Sequence, residues 1–291
     1  MYPVQQSAGV DVIDITDPGD PRVDDFRDLN SVDRRPDLPA LPGGRKGKGL
    51  VIAEGVTVVQ RMIASRFAPH AFLGVDKRRR ELGADLETPA LAGVPFYRAE
   101  ADVMAEIVGF HLNRGVLGAA RRPEPLSVAQ VLTGPDGSGD RGPETIAVLE
   151  GVNDHENIGS IFRNAAGLGV DAVIFGEGCA DPLYRRSIRV SMGHALLVPF
   201  AKYDSWPHDL EAVGDAGFTL VALTPGEGAV PLTEAVGAAK TAFLVGAEGP
   251  GLAEHTMRRC DVRAVIPMSR GTDSLNVATA AAIAFYERAR R

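Results

Sequence analysis

The feature that most constrains the fold is the regular alternation of apolar strands and helices after Pro143. Apolar strands that alternate with amphipathic helices form a parallel sheet covered on both faces. Such sheets bind ligands at the carboxyl ends of their strands. We predict strands over residues 145–149, 172–175, 195–199, 219–223, 242–245 and 264–266, with a last helix from about residue 275 to the end.

The preceding part of the chain has a mixed pattern that predicts a smaller α/β domain over residues 23–132. Its strands are predicted at 49–53, 71–75 and 115–120 and after Pro95, and its helices at 56–65 and 101–108. Residues 133–143 are rich in glycine and proline, which is typical of a linker, so the second domain is predicted to span residues 144–291.

Residues 1–22 are acidic, are interrupted by Pro18 and Pro21, and lack the basic start and apolar run of a secretory signal. We therefore expect a disordered acidic tail there. No segment approaches the roughly 18 apolar residues that cross a membrane. We expect a cytoplasmic protein with no membrane partner.

The cysteine and histidine content argues against a disulfide framework and a metal site. The 291 residues include two cysteines, Cys179 and Cys260, which are far apart, and six histidines without the spacing of metal ligands. We expect reduced thiols and no metal.

Charge distribution gives a mixed indication about nucleic acid. The net charge of −7 argues weakly against such a partner. However, residues 39–142 contain 14 basic and 11 acidic residues, whereas residues 143–291 contain 13 and 18. The basic residues of the first domain are therefore predicted to contact phosphate groups, with an ordinary solvated surface as the alternative. They are Arg45, Lys46, Lys48, Arg78, Arg79, Arg121 and Arg122.

In three segments of the second domain, a predicted strand is followed by residues suited to a functional site. In the first, residues 150–164, Asn157 is placed to cap the following helix, and Arg163 lies on its polar side. The second, residues 243–252, contains Glu248 and three glycines within six residues, which permit close approach of a ligand to the backbone. The third, residues 265–278, passes from a strand through a loop into the final helix. Taken singly, each also fits an ordinary turn or helix start.

Together these segments resemble the three motifs of the SpoU/TrmH family of RNA ribose methyltransferases, in the SPOUT superfamily. The first motif corresponds to Asn157, Gly159 and Arg163, and the second to Gly246, Glu248, Gly249 and Gly251. The third corresponds to residues 266–268 and 274–277. The resemblance covers residues 143–291. The first domain resembles the family's ribosomal-protein-like RNA-binding domain, although Asn113-Arg114-Gly115 replaces the frequent His-Gln-Gly.

The resemblance implies a C-terminal trefoil knot with a parallel sheet, a homodimer whose active sites use both chains, and S-adenosylmethionine as cofactor. It places cofactor contacts, largely through the backbone, at Leu223, Thr224, Gly246, Gly251, Ile266, Met268, Leu275 and Ala278. It assigns catalytic roles to Asn157, Arg163, Glu248, Ser274 and Asn276.

The implied reaction is methyl transfer to a ribose 2′-hydroxyl, in which positioning is the main task of the protein. Arg163 is often assigned as the base in this family. A guanidinium stays protonated, so a clamp on the adjacent phosphate is the better interpretation. Asn157, Ser274 and Asn276 then orient ribose or cofactor, and Glu248 orders the loops.

The two-domain organisation favours ribosomal RNA over transfer RNA, and a resistance methyltransferase acting on the ribosome is a special case. An inactive RNA-binding protein of the same fold is the alternative from another class, and the retained motif residues argue against it. A Rossmann-type nucleotide enzyme is disfavoured because no G-x-G-x-x-G follows the first strand.

Overall fold

The computed structural model describes residues 9–31, 35–38, 47–134, 142–226, 228–269, 271–272 and 274–291. The strands are β1 (Asp11–Asp14), β2 (Leu50–Glu54), β3 (Pro69–Gly74), β4 (Pro95–Arg98), β5 (Val116–Arg121), β6 (Thr145–Leu149), β7 (Ala172–Phe175), β8 (Phe200–Lys202), β9 (Thr219–Leu223), β10 (Val230–Pro231), β11 (Thr241–Val245) and β12 (Val262–Val265). The helices are α1 (Val56–Ile63), α2 (Asp76–Leu82), α3 (Ala101–Val108), α4 (Val128–Thr133), α5 (His155–Gly167), α6 (Arg185–Val190), α7 (Leu210–Asp215), α8 (Leu232–Ala235), α9 (Glu254–Met257) and α10 (Val277–Ala289). None of these helices is long and apolar enough to cross a membrane.

The chain divides into two compact units, and the division differs from the predicted boundaries in two places. The first unit contains the residues up to Pro123 together with Leu183–Leu197, and the second contains Glu124–Pro182 and Val198–Arg291. Helix α4 therefore belongs to the second unit, and α6 belongs to the first. Residues 135–141 of the predicted linker lie outside the described residues.

The first unit contains a five-stranded mixed sheet in the order β1-β4-β3-β5-β2. Strands β2 and β3 are antiparallel to β5, whereas β1, β4 and β3 are parallel to one another. Its core includes Phe26, Leu73 and Leu117, all at most 2% exposed. The first unit is therefore a mixed α/β unit.

The prediction of a disordered tail over residues 1–22 is wrong for residues 11–14. These form the edge strand β1, parallel to β4, and Asp14 accepts two hydrogen bonds from the Arg98 guanidinium at 2.5 and 2.9 Å. These bonds hold the pKa of the Asp14 carboxyl below its usual range. The acidic composition that suggested disorder thus supplies an ion pair at a sheet edge. Residues 1–8 lie outside the described residues.

The second unit contains a seven-stranded parallel sheet in the order β10-β12-β9-β11-β6-β7-β8. Every residue of β6, β7 and β11 is buried, as expected for strands covered on both faces. The predicted parallel sheet is therefore confirmed. The segments after β6 and β11 leave these neighbouring strands in opposite directions, towards β7 and β12. Such a switch point opens a crevice at the carboxyl ends of the two strands.

The strand predicted over residues 195–199 is wrong. His194–Leu196 forms a 3-10 turn, and the strand at this edge is β8, which pairs with β7 from Phe200 onward. Ala195 and Leu196 are apolar because they are buried within the first unit, not because they pair in the sheet. A short apolar run does not distinguish these two kinds of burial.

A buried ion pair joins α6 to β2 inside the first unit. The Arg185 guanidinium donates to Glu54 at 3.0 Å, and the two side chains are only 14% and 7% exposed. Arg185 also lies over the Phe110 ring and donates to the Asn30 side chain at 3.2 Å. Its removal would leave the Glu54 carboxylate buried without its cation.

We expect Arg185→Leu to reduce the free energy of unfolding by about 3–5 kcal/mol, the usual cost of an unpaired buried charge. The free energy of unfolding should fall much less in the double variant Glu54→Leu/Arg185→Leu than in the two single variants added together. Urea unfolding of the full chain measures both values. Arg259→Ala is the control, because its pair with the 76% exposed Glu211 should contribute less than about 1 kcal/mol. Equal losses in Arg185→Leu and Arg259→Ala would contradict the prediction.

Candidate active site

Three polar side chains from the three predicted segments meet through direct hydrogen bonds. The Asn157 amide donates to Glu248 Oε1 at 2.9 Å. The Asn276 amide donates to the same oxygen at 2.9 Å and to Asn157 Oδ1 at 2.8 Å. Asn157 is buried, whereas Glu248 and Asn276 are exposed. This polar triangle therefore lies at the surface of the second unit, beyond the ends of β6 and β11.

The N-cap of α5 is Asp154, so the prediction that Asn157 caps this helix is wrong. The Asp154 carboxylate accepts a hydrogen bond from the Glu156 amide at 2.8 Å, and the helix begins at His155. Asn157 lies in the first turn, where its side chain is free to reach the polar triangle. The apolar side of this helix faces the core, where Ile158, Ile161, Phe162 and Ala165 are fully buried.

Asn276 is the N-cap of α10 and uses both ends of its amide. Its Oδ1 accepts from the Ala278 and Thr279 backbone amides at 3.0 and 3.1 Å, which satisfies two donors of the first helical turn. The Nδ2 group is thereby directed at Asn157 and Glu248. Asn276 thus starts the helix and at the same time bonds to the two other side chains of the polar triangle.

The glycine loop after β11 folds back on itself. Ala247 and Gly251 form an isolated bridge, and the Gly251 amide donates to the Ala247 carbonyl at 3.0 Å. A Cβ on Gly246 would overlap the backbone of Gly251 and Leu252. Gly249 and Gly251 have φ values of +88° and +70°, which side-chain-bearing residues rarely adopt. Glycine at these positions is required for the loop to close.

The residues predicted to hold the cofactor follow three adjacent strands. Leu223 ends β9 and Thr224 follows it, Gly246 follows β11, and Ile266 follows β12. These strands are neighbours in the order β12-β9-β11. The Thr224 amide donates to Ala264 in β12 at 2.9 Å, which ties two of these strand ends together. The structure therefore brings these predicted positions to one edge of the sheet.

The remaining predicted cofactor residues are on the third segment and the glycine loop. Met268 is half-buried, Leu275 is exposed, and Gly251 is exposed at the base of the loop. Ala278 is buried in the first turn of α10, and its carbonyl accepts a hydrogen bond from the Asn164 side chain at 3.1 Å. Seven residues turn a helix by about 700°, so Asn164 lies on the same side of α5 as Asn157. This spacing was the signal by which Asn164 could have been identified from the sequence.

Two predicted catalytic residues, Arg163 and Ser274, do not join the polar triangle. Arg163 follows Asn157 by six residues, which places it about 120° away around α5. Its side chain is exposed, as is that of Ser274. Within the described part of one chain, Arg163 contacts neither Glu248 nor Asn276. A role for Arg163 therefore requires a group that approaches this other side of the helix.

The cationic residues predicted for RNA binding are compensated to different degrees. Arg78 pairs with Glu81, Arg79 with Asp76, and Lys48 with Asp25. Arg122 donates to the Asp37 carbonyl at 3.1 Å, and Arg121 is exposed at the end of β5. Arg45 and Lys46 lie outside the described residues. Much of the basic charge counted from the sequence is thus paired locally.

A cavity of about 230 Å³ in the first unit contains a cation that the sequence interpretation missed. Arg78, Asn113 and Arg114 contribute to its lining. Arg114 extends across Gly55, where a Cβ would lie 2.9 Å from its Cδ, and Arg78 extends across Gly115. Arg114 is half-buried and has no acidic partner among the described residues. The sequence signal that could have identified Arg114 is its position in Asn113-Arg114-Gly115, the segment that replaces the family's frequent His-Gln-Gly.

Both cysteines are free thiols, and burial makes them poor nucleophiles. Burial raises the pKa of Cys179 to about 11 and that of Cys260 to about 12. Both thiols are therefore protonated at neutral pH.

The fold is shared with a known methyltransferase. The crystal structure of an AdoMet-bound rRNA methyltransferase from Sinorhizobium meliloti matches with a TM-score of 0.74 and 23% sequence identity. The match covers 96% of this chain and 98% of that chain. At this level of identity the likeness shows the fold alone. That fold has a seven-stranded parallel sheet in one unit and a smaller mixed sheet in the other.

Sequence comparison defines the family. The SpoU rRNA methylase family model matches residues 144–286. An uncharacterized tRNA/rRNA methyltransferase of Mycobacterium bovis is 64% identical over 290 residues, covering 98% of this chain and 94% of that protein. RlmB of Acinetobacter baylyi, a 23S rRNA (guanosine-2'-O-)-methyltransferase, is 30% identical over 75% of this chain and 86% of its own length. The chain belongs to the SpoU rRNA methylase family, a family of RNA methyltransferases, and the predicted resemblance is confirmed.

We expect Gly246→Ala to open the glycine loop, because the added Cβ overlaps backbone atoms that cannot rotate away. Affinity for S-adenosylmethionine should fall by at least about tenfold, equivalent to a strain of about 1–3 kcal/mol. Isothermal titration calorimetry on the full chain measures the affinity. Gly214→Ala is the matched control, because an added Cβ there meets no atom within 4 Å. Unchanged affinity in a folded Gly246→Ala variant would contradict the assigned role of the loop.

Proposed function

We propose that this protein transfers a methyl group from S-adenosylmethionine to a ribose 2′-hydroxyl of RNA, with ribosomal RNA as the substrate. The observation that carries the proposal is the polar triangle of Asn157, Glu248 and Asn276 beside the glycine loop. These groups come from all three family motifs and converge at the switch point of the sheet, where ligands bind in open parallel sheets. The similarity to a 23S rRNA (guanosine-2'-O-)-methyltransferase supports the 2′-hydroxyl as acceptor.

The residues at the strand ends suit S-adenosylmethionine. The loop closed at Gly246 presents backbone rather than side chains, and the neighbouring positions Leu223, Ile266 and Leu275 are aliphatic. Aliphatic surface and backbone polar groups are the usual lining of a small-molecule site. Bound there, the cofactor supplies a methyl group made electrophilic by its sulfonium. Threading of α10 through a knot stays a prediction of the family resemblance.

The protein's own contribution is orientation and charge. Asn157 and Asn276 hold each other and the Glu248 carboxylate, so the glycine loop and the start of α10 keep a fixed spacing. Fixed geometry of this kind lowers the entropic part of the barrier. Arg163 clamps an RNA phosphate and stabilises negative charge developing on the attacking oxygen, while Ser274 orients the ribose.

The orientation of Arg163 leads to a further part of the proposal, a homodimer with composite sites. Arg163 lies about 120° around α5 from Asn157, so it serves the polar triangle of a partner rather than its own. Three of the large apolar side chains exposed in the described residues are close together in sequence near α10. They are Leu275, Ile283 and Tyr286, at 36%, 37% and 55% exposure. An isologous interface that buries this patch would be typical of a C2 dimer.

We expect Arg163→Ala to lower kcat by about two to three orders of magnitude and to leave affinity for S-adenosylmethionine unchanged. Arg163→Lys should also be poor, because lysine cannot form a bidentate contact with phosphate. Methyl transfer from radiolabelled cofactor to ribosomal RNA measures kcat, and calorimetry measures affinity. Wild-type turnover in Arg163→Lys would contradict the phosphate clamp.

Mixing two inactive variants tests the composite site in the same assay. A mixed dimer of Arg163→Ala and Asn276→Ala chains contains one intact site only if Arg163 of one chain serves Asn276 of the other. Recovered activity on mixing is expected, with each variant alone as the control. No recovery from dimers that exchange chains would refute the composite site while leaving the reaction itself intact.

We also propose that the first unit binds the RNA backbone through Arg114 at the 230 Å³ cavity. Neutralising one phosphate contact lowers the salt dependence of binding by about one unit of slope. Arg114→Gln should therefore weaken RNA binding and flatten its dependence on salt, as measured by fluorescence anisotropy. Arg80→Gln is the control, because Arg80 pairs with Asp76 and does not line the cavity. Equal slopes for the two variants would identify Arg114 as ordinary solvated surface.

A further inference from the structure

The Glu150 carboxylate, directly after β6, accepts three hydrogen bonds inside the second unit. The Trp206 indole donates to Oε1 at 2.6 Å, and the Thr256 hydroxyl donates to the same oxygen at 2.7 Å. The Ala253 backbone amide donates to Oε2 at 2.9 Å. Glu150 is only 9% exposed, so its charge is removed from water. Three convergent donors offset the cost of burying this carboxylate.

Two of the three donors belong to the end of the glycine loop and to the helix that follows it, and the third, Trp206, lies after β8. Ala253 immediately follows the loop, and Thr256 lies in α9, the helix into which the loop leads. The Trp206 ring packs over Gly176, where a Cβ would lie 2.8 Å from the ring. Glu150 therefore connects the end of β6, the exit of the loop and the chain after β8.

The loop is thus held at three points, each by a hydrogen bond to the segment after β6. Glu248, in the middle of the loop, is held by Asn157. Its exit is held by Glu150. The entrance is fixed by β11 itself, since the Glu150 amide donates to the Val245 carbonyl at 3.0 Å. A loop fixed at its entrance, middle and exit has little freedom to open.

We propose that Glu150 is a positioning residue that holds the glycine loop in the conformation able to bind S-adenosylmethionine. The inference rests on the proposed function, because it assigns the cofactor to this loop. Glu150 touches neither cofactor nor RNA in this role and acts through the Ala253 amide and α9. Trp206, the only tryptophan of the chain, reports on the same carboxylate by its fluorescence.

Glu150→Gln is the decisive variant, because a glutamine cannot satisfy all three donors. Its carbonyl oxygen can replace one carboxylate oxygen, but its NH₂ group then faces a donor instead of accepting from it. The side-chain size is unchanged. Glu177→Gln is the matched control, since Glu177 is an exposed acid at the end of the next strand.

Two measurements on the full chain test the inference. In hydrogen exchange without ligand, the peptide covering residues 246–257 should exchange about tenfold faster in Glu150→Gln than in the wild type and in Glu177→Gln. In calorimetry, Glu150→Gln should bind S-adenosylmethionine about tenfold more weakly. The emission of Trp206 should shift in Glu150→Gln, and its response to S-adenosylhomocysteine should be lost. If that variant does not fold, Thr256→Val removes one donor and should give the same effects at smaller size.

Exchange and affinity that match the wild type in a folded Glu150→Gln variant would overturn the inference alone. Uniformly faster exchange over both units, with wild-type affinity, would also overturn it, because Glu150 would then stabilise the fold without positioning the loop. A wild-type chain that binds no S-adenosylmethionine would refute the proposed function and the inference with it. Faster exchange confined to residues 246–257, together with weaker binding, supports the inference.

Discussion

The active-site end of the second unit depends on one asparagine that satisfies two needs at once. Asn276 accepts hydrogen bonds from the first amides of α10 and donates to Asn157 and Glu248. Because the amide group is planar and short, the position of the helix start and the position of the glycine loop are not independent. The loops after β6 and β11 leave neighbouring strands in opposite directions, so their polar residues meet in the crevice between them. Asn276 reaches into that crevice and links all three motifs.

Electrostatics in the first unit are dominated by local pairing. On α2, Asp76 pairs with both Arg79 and Arg80 and Glu81 pairs with Arg78, so two carboxylates offset part of the charge of four successive cations. The buried pair of Glu54 and Arg185 joins residues distant in sequence and belongs to the fold rather than to a binding surface. Arg114 differs because it is half-buried beside a cavity and unpaired among the described residues. A cation without an acidic partner is available to contact RNA, whereas a cation paired with a carboxylate stabilises the fold.

Sequence patterns predicted most strands within one or two residues and missed the short strands β1, β8 and β10. Strands β6, β7 and β9 begin and end where their apolar runs do, because a strand buried on both faces needs continuous apolar residues. Strand β1 was missed because its acidic residues are stabilised by Arg98, which lies far away in sequence. Residues 195–199 were assigned to a strand because burial in the first unit requires the same apolar residues as burial in a sheet. The tertiary structure decides which strand lies at the edge of a sheet and which element packs against a buried segment.

The sequence by itself determined the family, the parallel sheet and the identity of the motif residues, since these depend on residue type and order along the chain. It placed Asn157, Glu248 and Asn276 in one site but gave Asn157 the wrong local role. The cap is the side chain that accepts a hydrogen bond from a first-turn amide, and here that side chain is Asp154. Only the tertiary structure decided that Asp154 takes the cap and that Asn276 bonds to both Asn157 and Glu248. It alone showed that the carboxylate of Glu150 receives donors from segments more than 50 residues away. Hydrogen-bond partners are set by distances in space, which neither periodicity nor composition encodes.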